Sequence, residues 1–500
     1  MLLFVAAVLA PPAFAQEGGA PPEARREEVR PASDPPGSGL RFLGIVALRT
    51  AASNISTTNP FLNGQLVGEL GGTNTTTTTD KLGHASEQRV GAFFSYAPPL
   101  WDGRLQLDAA FEVDFAFGDQ AYGIGGNTGG GFGADQVNLQ TRRMGARARL
   151  GEDTWIVAGL QFVGDGSADP TRGKPDDLFR SGGRLMFFGS EAAGISAYGT
   201  IGEPLRYKLG AYTLVELGLA SPDDVTLYMA DAAWSPAYAH RLGVHAWYLR
   251  DKAAGLGSSF GTGPTSPLSE LQGGPRLDFR PTGEGAAPVV NTDLLWVGVD
   301  HGWNAGLDRG RVGLTALAVA NLGRLYVEEL PDRNVRGFLA DVELRARIAP
   351  GEGSIARVEL LASSGDDPAT DTYEGIVTGN AYAAVGAVHG THGCLLLFPD
   401  VTAINRQVAR VYDVSGAGAG VAAVTGGVAF DAIPNRLTVG VGAGHARTAS
   451  FEPLGTELNA RISGKPWVLT DLGLKGAVLL DTDLPVTPWI ALVSFDWLVI

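Results

Sequence analysis

Charged side chains in this chain keep to one parity over many short segments, and that spacing is what could do chemistry. Between residues 104 and 117, Arg104, Gln106, Asp108, Glu112 and Asp114 alternate with Leu105, Leu107, Phe111, Val113, Phe115 and Phe117. An extended chain turns successive side chains to opposite faces, so the segment has one ionic face and one apolar face. The pattern returns with Asp341, Glu343, Arg345 and Arg347 against Phe338, Val342, Leu344 and Ile348, and again with Glu457 and Arg461 against Leu458 and Ile462. Other charged faces carry Arg143, Arg147 and Arg149, then Arg206 and Lys208, Arg357 and Glu359, and Asp471 and Lys475. None of these sets pairs a nucleophile with a base. Their chemistry is electrostatic: opposite charges on neighbouring strands brace a wall, and charged rings around a wet conduit bias which ions pass.

Other candidates for chemistry are weaker. His389-x-x-His392-x-Cys394 places three possible ligands close together, but a metal site needs convergent geometry and a fourth ligand or an open water position. A plain Gly/His loop is the preferred reading. His84, His240, His245, His301 and His445 have no Ser or Asp beside them in a recognisable nucleophile arrangement. The strings Gly416–Gly420 and Gly440–Gly444 lack the helix that a dinucleotide fingerprint requires. They read as tightly curved or closely approached strands. The chain is therefore expected to be no enzyme and to need no cofactor or metal.

The elements that must position the charged faces are strands. From Leu40 onward, alternating segments of about ten residues recur between Gly, Pro, Asp and Asn breaks, as in membrane barrels. Twenty candidate starts fall near residues 40, 87, 104, 138, 154, 183, 193, 205, 225, 240, 292, 309, 336, 354, 407, 420, 434, 456, 468 and 488. The pair near 183 and 193 is ambiguous. Even strand numbers in bacterial barrels point to about 18, with 16 and 20 as alternatives. The last segment, Trp489 to Ile500, has the apolar parity Trp489, Ala491, Val493, Phe495, Trp497 and Val499. It suits a closing strand that pairs with the first and so removes the sheet edge.

The long breaks, about 51–86, 118–136, 165–182, 251–291 and 365–404, are expected to be extracellular loops or loops folded into the lumen. The polar run at 71–80 reads as loop or disorder. Residues 1–15 read as a signal peptide, an apolar run ending in Ala13-Phe14-Ala15. Residues 16–39 read as a flexible periplasmic leader and 40–500 as an outer-membrane β-barrel, all-β, antiparallel and up-and-down. A formal net charge of −15 argues against nucleic acid, and the single Cys394 excludes an intramolecular disulfide framework.

Several stretches resemble a known family. They are Val90-Gly-Ala-Phe-Phe-Ser-Tyr96 with Leu105 to Phe117, Asn138-Leu-Gln-Thr-Arg-Arg143, Leu397 to Arg406, and Ile433 to His445. In style, most of residues 85–500 is similar to the outer-membrane porins of the alginate-export type, large barrels that pass anionic polysaccharide. The resemblance implies an approximately 18-stranded barrel with an arginine- and lysine-lined conduit, although this chain departs from the family in its acidic balance. The expected function is a porin or export channel for hydrophilic solutes, anionic ones included, or polysaccharide, seated in outer-membrane lipid, with its oligomeric state open. The expected pore lining is Asp108, Glu112, Asp114, Arg143, Arg147, Arg149, Arg206, Lys208, Asp341, Glu343, Arg345, Arg347, Arg357, Glu359, Glu457 and Arg461. The alternatives are a plugged barrel acting as receptor or envelope scaffold and, third, an outer-membrane hydrolase.

Overall fold

The computed structural model describes residues 39–57, 68–71, 76–99, 103–117, 138–163, 190–202, 204–216, 224–237, 239–252, 289–307, 309–327, 331–351, 353–367, 369–378, 393–400, 403–404, 408–434 and 436–499. The signal-peptide and leader readings over residues 1–38 fall outside them, as does the candidate strand start near 183.

Eighteen antiparallel strands form one closed wall. In chain order they are β1 (Gly39–Thr57), β2 (Thr76–Ala97), β3 (Leu105–Ala116), β4 (Asn138–Arg149), β5 (Thr154–Val163), β6 (Ser190–Ile201), β7 (Leu205–Val215), β8 (Val225–Ala237) and β9 (His240–Asp251). They continue as β10 (Val289–Trp303), β11 (Val312–Val327), β12 (Arg333–Arg347), β13 (Ile355–Ser363), β14 (Ala422–Ile433), β15 (Leu437–Arg447), β16 (Pro453–Gly464), β17 (Thr470–Leu480) and β18 (Trp489–Val499). Each pairs with its chain neighbours, and β18 closes on β1 from Gly44↔Val499 to Ser53↔Ile490. Closure leaves no free edge, the condition for a sheet to span lipid.

The two faces of the wall differ as the alternation requires. Outward residues are apolar and exposed: Ile195, Val244, Val299, Phe338, Val358, Leu360, Val441 and Val493 all stand in the open. Aromatic contacts run across the outer surface, with Phe94 5.3 Å from Phe42 and 6.4 Å from Phe111 between ring centroids. Trp234, Trp303, Trp467 and Trp497 are exposed near the end that carries short connections such as 150–153 and 465–469. This is the interfacial aromatic girdle of a membrane barrel. The opposite end carries the long connections. In such barrels the short turns are periplasmic and the long loops extracellular, which fixes the orientation. A closed barrel with an apolar outer belt is built for the bacterial outer membrane, and that is where this chain resides.

Three expectations need correction. Residues 76–80 of the threonine-rich run are strand, extending β2 against β1 through Ile55↔Thr78 and Thr57↔Thr76. β-Branched threonine fits a pleated surface, and a partner strand outweighs low complexity. The start near 407 is no wall strand: Val408–Ala409 is a two-residue strand that pairs in parallel with Gly68–Glu69, apart from the barrel sheet. The string at Gly416 is a tight turn, with φ of 55° at Gly416, 91° at Gly418 and 65° at Gly420, a region that favours glycine. By contrast, Gly440–Gly444 lies in β15, as a closely approached strand should.

Candidate functional site

On the β2–β4 wall the inward carboxylates are held by arginines from both sides. Arg89 forks onto Asp114 through Nε (2.8 Å) and Nη2 (2.7 Å) and also reaches Glu112 at 2.9 Å. Arg142 lies 3.6 Å from Glu112, and Arg147 lies 3.9 Å from Asp108. The register slips between Ala110 and Phe111, opposite Arg143 and Thr141. A bulge of this kind re-aims side chains. It brings Arg142 to the carboxylates beside Arg143, which parity alone would not allow. Arg143 and Arg147 are buried over Phe162 (6.0 Å) and Trp155 (5.0 Å). Arg149, at the short-turn end, donates through Nε to the Glu152 carbonyl at 3.0 Å.

Farther round the wall, charges of one sign face each other. Glu343 is registered with Glu359 and Arg345 with Arg357 across β12 and β13, and Arg461 with Lys475 across β16 and β17. Between these groups β14 and β15 present Gly427 opposite Gly442, and Gly440 opposite Arg461. A Cβ at Gly440 would stand 3.1 Å from Arg461 Nε, and one at Gly442 would stand 2.7 Å from Asn459 Oδ1. The bare backbone gives these side chains their room. Glu343 partly offsets its neighbours, contacting Arg345 and lying 3.7 Å from Arg357. Arg461 has no ion-pair partner among the described residues, and it is exposed.

The described residues of the connection between β13 and β14 fold inward. Glu457, fully buried on β16, accepts backbone N–H bonds from Leu395 (2.9 Å), Leu396 (2.8 Å) and Leu397 (2.6 Å). Asn459 donates to the Gly393 carbonyl at 3.0 Å, and Lys475 holds Asp400 at 3.2 Å. Elsewhere on the ring, Trp296 of β10 donates to the Val377 carbonyl at 2.8 Å, and Asn321 of β11 accepts the Val377 N–H at 3.0 Å. The Ile404 N–H reaches Glu87 of β2 at 3.1 Å. Anchors on β2, β10, β11, β16 and β17 mean that the segment crosses the lumen. A second inward piece, Gly68–Glu69, docks on it by the parallel pair, with Leu70 N–H to the Ala409 carbonyl at 2.7 Å. Between the segment and the wall lies a cavity lined by Arg49, Glu87, Leu395, Asp400, Val408 and Leu492.

Of the other residues singled out from the sequence, Lys208 is fully buried opposite Asp231, Asp341 is fully buried, and Arg206 lies toward the short-turn end near Arg241. Arg347, Glu359 and Glu457 lie on the same side of their strands as Arg345, Arg357 and Arg461. His389 and His392 lie outside the described residues. Burial pushes the Cys394 thiol well above its usual range, with Glu457 adding to the effect. Both effects work against a thiolate at this buried position.

Three features escaped the sequence reading. Arg89 is the principal partner of the acidic strand. Arg49, buried on β1, bonds Asp496 of β18 at 2.7 Å across the closing seam. His245 does have acidic neighbours: Nδ1 lies 2.7 Å from Asp231 and Nε2 2.8 Å from Asp300, while Trp247 donates to Asp231 at 3.0 Å. These partners come from adjacent strands, so only the register could reveal them. The constellation ties three neighbouring strands, β8, β9 and β10, through one imidazole.

No protein-family model matches the sequence, and no curated protein matches it. Among solved structures the chain is similar to the Pseudomonas aeruginosa OpdK structure with vanillate, at 12% identity and a TM-score of 0.48, covering 92% of this chain and 98% of that one. It is also similar to Acinetobacter baumannii OccAB1, at 10% identity and a TM-score of 0.48, covering 92% and 96%. A third is Pseudomonas aeruginosa OccK8 (OprE), at 11% identity and a TM-score of 0.46, covering 92% and 98%. At such scores the description of the barrel rests on its own strand pairing.

Proposed function

We propose that the chain is an outer-membrane channel for small hydrophilic anions, which pass beside the infolded segment along the glycine-lined wall of β14 and β15. The observation that carries this is the set of like-signed basic pairs, Arg345↔Arg357 and Arg461↔Lys475, flanking that bare backbone. Directly opposed like charges are destabilising, and Arg461 has no described ion-pair partner to relieve it. An anion in transit supplies the missing countercharge, as in pores lined by basic rings. The carboxylates and arginines of β2–β4, being mutually paired, brace the wall and line the pore without setting its sign. Arg206 of β7 adds to the positive lining. The segment crossing the bore favours small solutes over the polysaccharide that the alginate-export resemblance implies.

The test is the reversal potential across a planar bilayer in a salt gradient. Wild type should lean toward anions, and Arg345→Gln with Arg461→Gln should move the potential toward cation preference, more at low ionic strength, where the Debye length is longer. An unmoved potential sinks the anion reading. The plugged-barrel reading is favoured by the same infolded segment. It is supported if wild type carries no current and Glu457→Ala restores it.

A further inference from the structure

On the outer surface, at the end bearing the long loops, β9 to β12 carry an isolated group of cations. Trp247, Leu249 and Asp251 are buried inward, so Arg250 points outward. Leu325 is fully buried, so Arg324 points outward, and Val335 and Leu339 do the same for Arg336. Arg250 and Arg336 are exposed and have no ion-pair partner among the described residues. The Arg324 side chain is 55% exposed even while it contacts Asp332 at 2.9 Å.

The register sets these groups side by side. Arg250 opposes Asp293, and Asp293 opposes Arg324, so their Cα atoms are two strand spacings apart, roughly 10 Å, within reach of one headgroup for two long side chains. Arg336 opposes Leu322, one outward position along from Arg324. The intervening Asp293 is already engaged, by the Tyr248 hydroxyl at 2.8 Å and by Lys252 at 3.5 Å. Lys252 and Arg324 also lie over the Tyr326 ring, at 5.1 and 5.5 Å. Tyr228 and Tyr248, stacked at 6.2 Å, mark the boundary with the apolar belt.

We propose that this patch binds the phosphate groups of a lipid in the outer leaflet. It faces lipid and not the lumen, it sits at headgroup height, and its exposed surplus is positive on a chain whose formal net charge is −15. Cations on a lipid-facing surface are tolerated at the interface and excluded from the midplane, and basic clusters at that height recognise anionic headgroups. The separation of Arg250 and Arg324 lets a headgroup bearing two phosphates engage both at once, with Arg336 free to close on one of them.

The test is lipid retention by the full chain in detergent, read by native mass spectrometry. The probes are a bis-phosphorylated acylated disaccharide, the same lipid without phosphates, and phosphatidylethanolamine. Wild type should retain the bis-phosphorylated lipid at least tenfold better than the other two. Arg250→Gln with Arg324→Gln should abolish that preference, whereas Arg447→Gln, an outward arginine at the same end of β15, should leave it intact. Should the double variant fail to assemble, Arg336→Gln orphans no described partner and should by itself weaken retention about threefold. Equal retention by wild type and variants overturns the proposal. So does wild-type retention that ignores the phosphates, or displacement of the lipid by inorganic phosphate at low millimolar concentration, which would mark a free-anion site.

Discussion

Glu457→Ala should unfasten the infolded segment while leaving the barrel closed. The Glu457 carboxylate takes backbone N–H bonds from three consecutive residues, Leu395, Leu396 and Leu397, and a further bond from Asn459 at 2.8 Å. Hydrogen bonds to a charged group contribute about 1.5–3 kcal/mol each, so the three backbone bonds sum to roughly 4.5–9 kcal/mol. Two effects reduce the loss. The variant no longer buries a charge, whose desolvation offsets part of its attraction, and water can reach the freed N–H groups once the segment lifts. The apolar packing of Leu396, Leu397 and Phe398, all buried, survives. A net loss of about 3 kcal/mol is then a cautious figure, and it raises the lifted population roughly a hundredfold.

The assay is single-channel conductance together with limited proteolysis near residue 395. The variant should show larger or longer openings and faster cleavage, with the heat-modifiable gel mobility of a folded barrel unchanged. Glu457→Gln, which keeps one acceptor, should fall between wild type and Glu457→Ala. A folded variant with wild-type conductance and wild-type cleavage would refute the claim that this carboxylate tethers the segment.

Three further outcomes follow from the same geometry. Val342→Arg, outward on β12, should cost about 2–4 kcal/mol of assembly if it lies near the midplane, whereas Glu343→Gln should assemble normally; refolding yields in lipid vesicles check the contrast. Arg89→Gln should lower thermal stability by about 3–5 kcal/mol, because it strips a buried partner from Asp114 and Glu112, and denaturant titration of the folded band measures it. Burial holds the Glu69 carboxyl above its ordinary range, more than Arg410 lowers it, and Asp413 and Asp483 raise it further. A raised carboxyl favours the docked state below the ordinary glutamate value, and that stability is lost as pH rises through the folded value. Conductance should therefore fall on acidification through that window, and Glu69→Gln should flatten the dependence.

The wall was legible from the sequence because alternation reports a period of two, and lipid on one side enforces it. Phe338, Val342 and Leu344 stand outward while Asp341 and Glu343 are buried, as their parity requires. The closing pair of β18 and β1 was legible for the same reason. The infolded segment was not, because its anchors are backbone N–H groups that meet single carboxylates and amides, and such bonds leave no periodic trace. One signal was available. Leu294-Leu295-Trp296-Val297 is apolar on both parities, and a strand apolar on both faces must be covered on both. In the structure Leu294 and Trp296 are buried inward, and Val377 meets Trp296 there. Register was the other blind spot, since Arg89 with Asp114 and His245 with Asp231 are neighbours only once the pairing is known.

The distribution of charge around the ring separates two tasks that a single strand cannot show. On β2–β4 opposite charges meet closely and are buried, as with Arg89, Asp114 and Glu112. Such groups satisfy one another and leave little field in the lumen. On β12–β17 like charges are registered together and glycine replaces the side chains that would have screened them. There Glu343 and Asp400 offset only part of the positive field, and a mobile countercharge can supply the rest. The infolded segment touches both regions, with Ile404 at Glu87 on one side and Asp400 at Lys475 on the other. Its position thus sets how much of the basic wall a solute meets. On that argument ion preference and opening are coupled through Lys475, because releasing Asp400 frees a cation at the moment the bore widens.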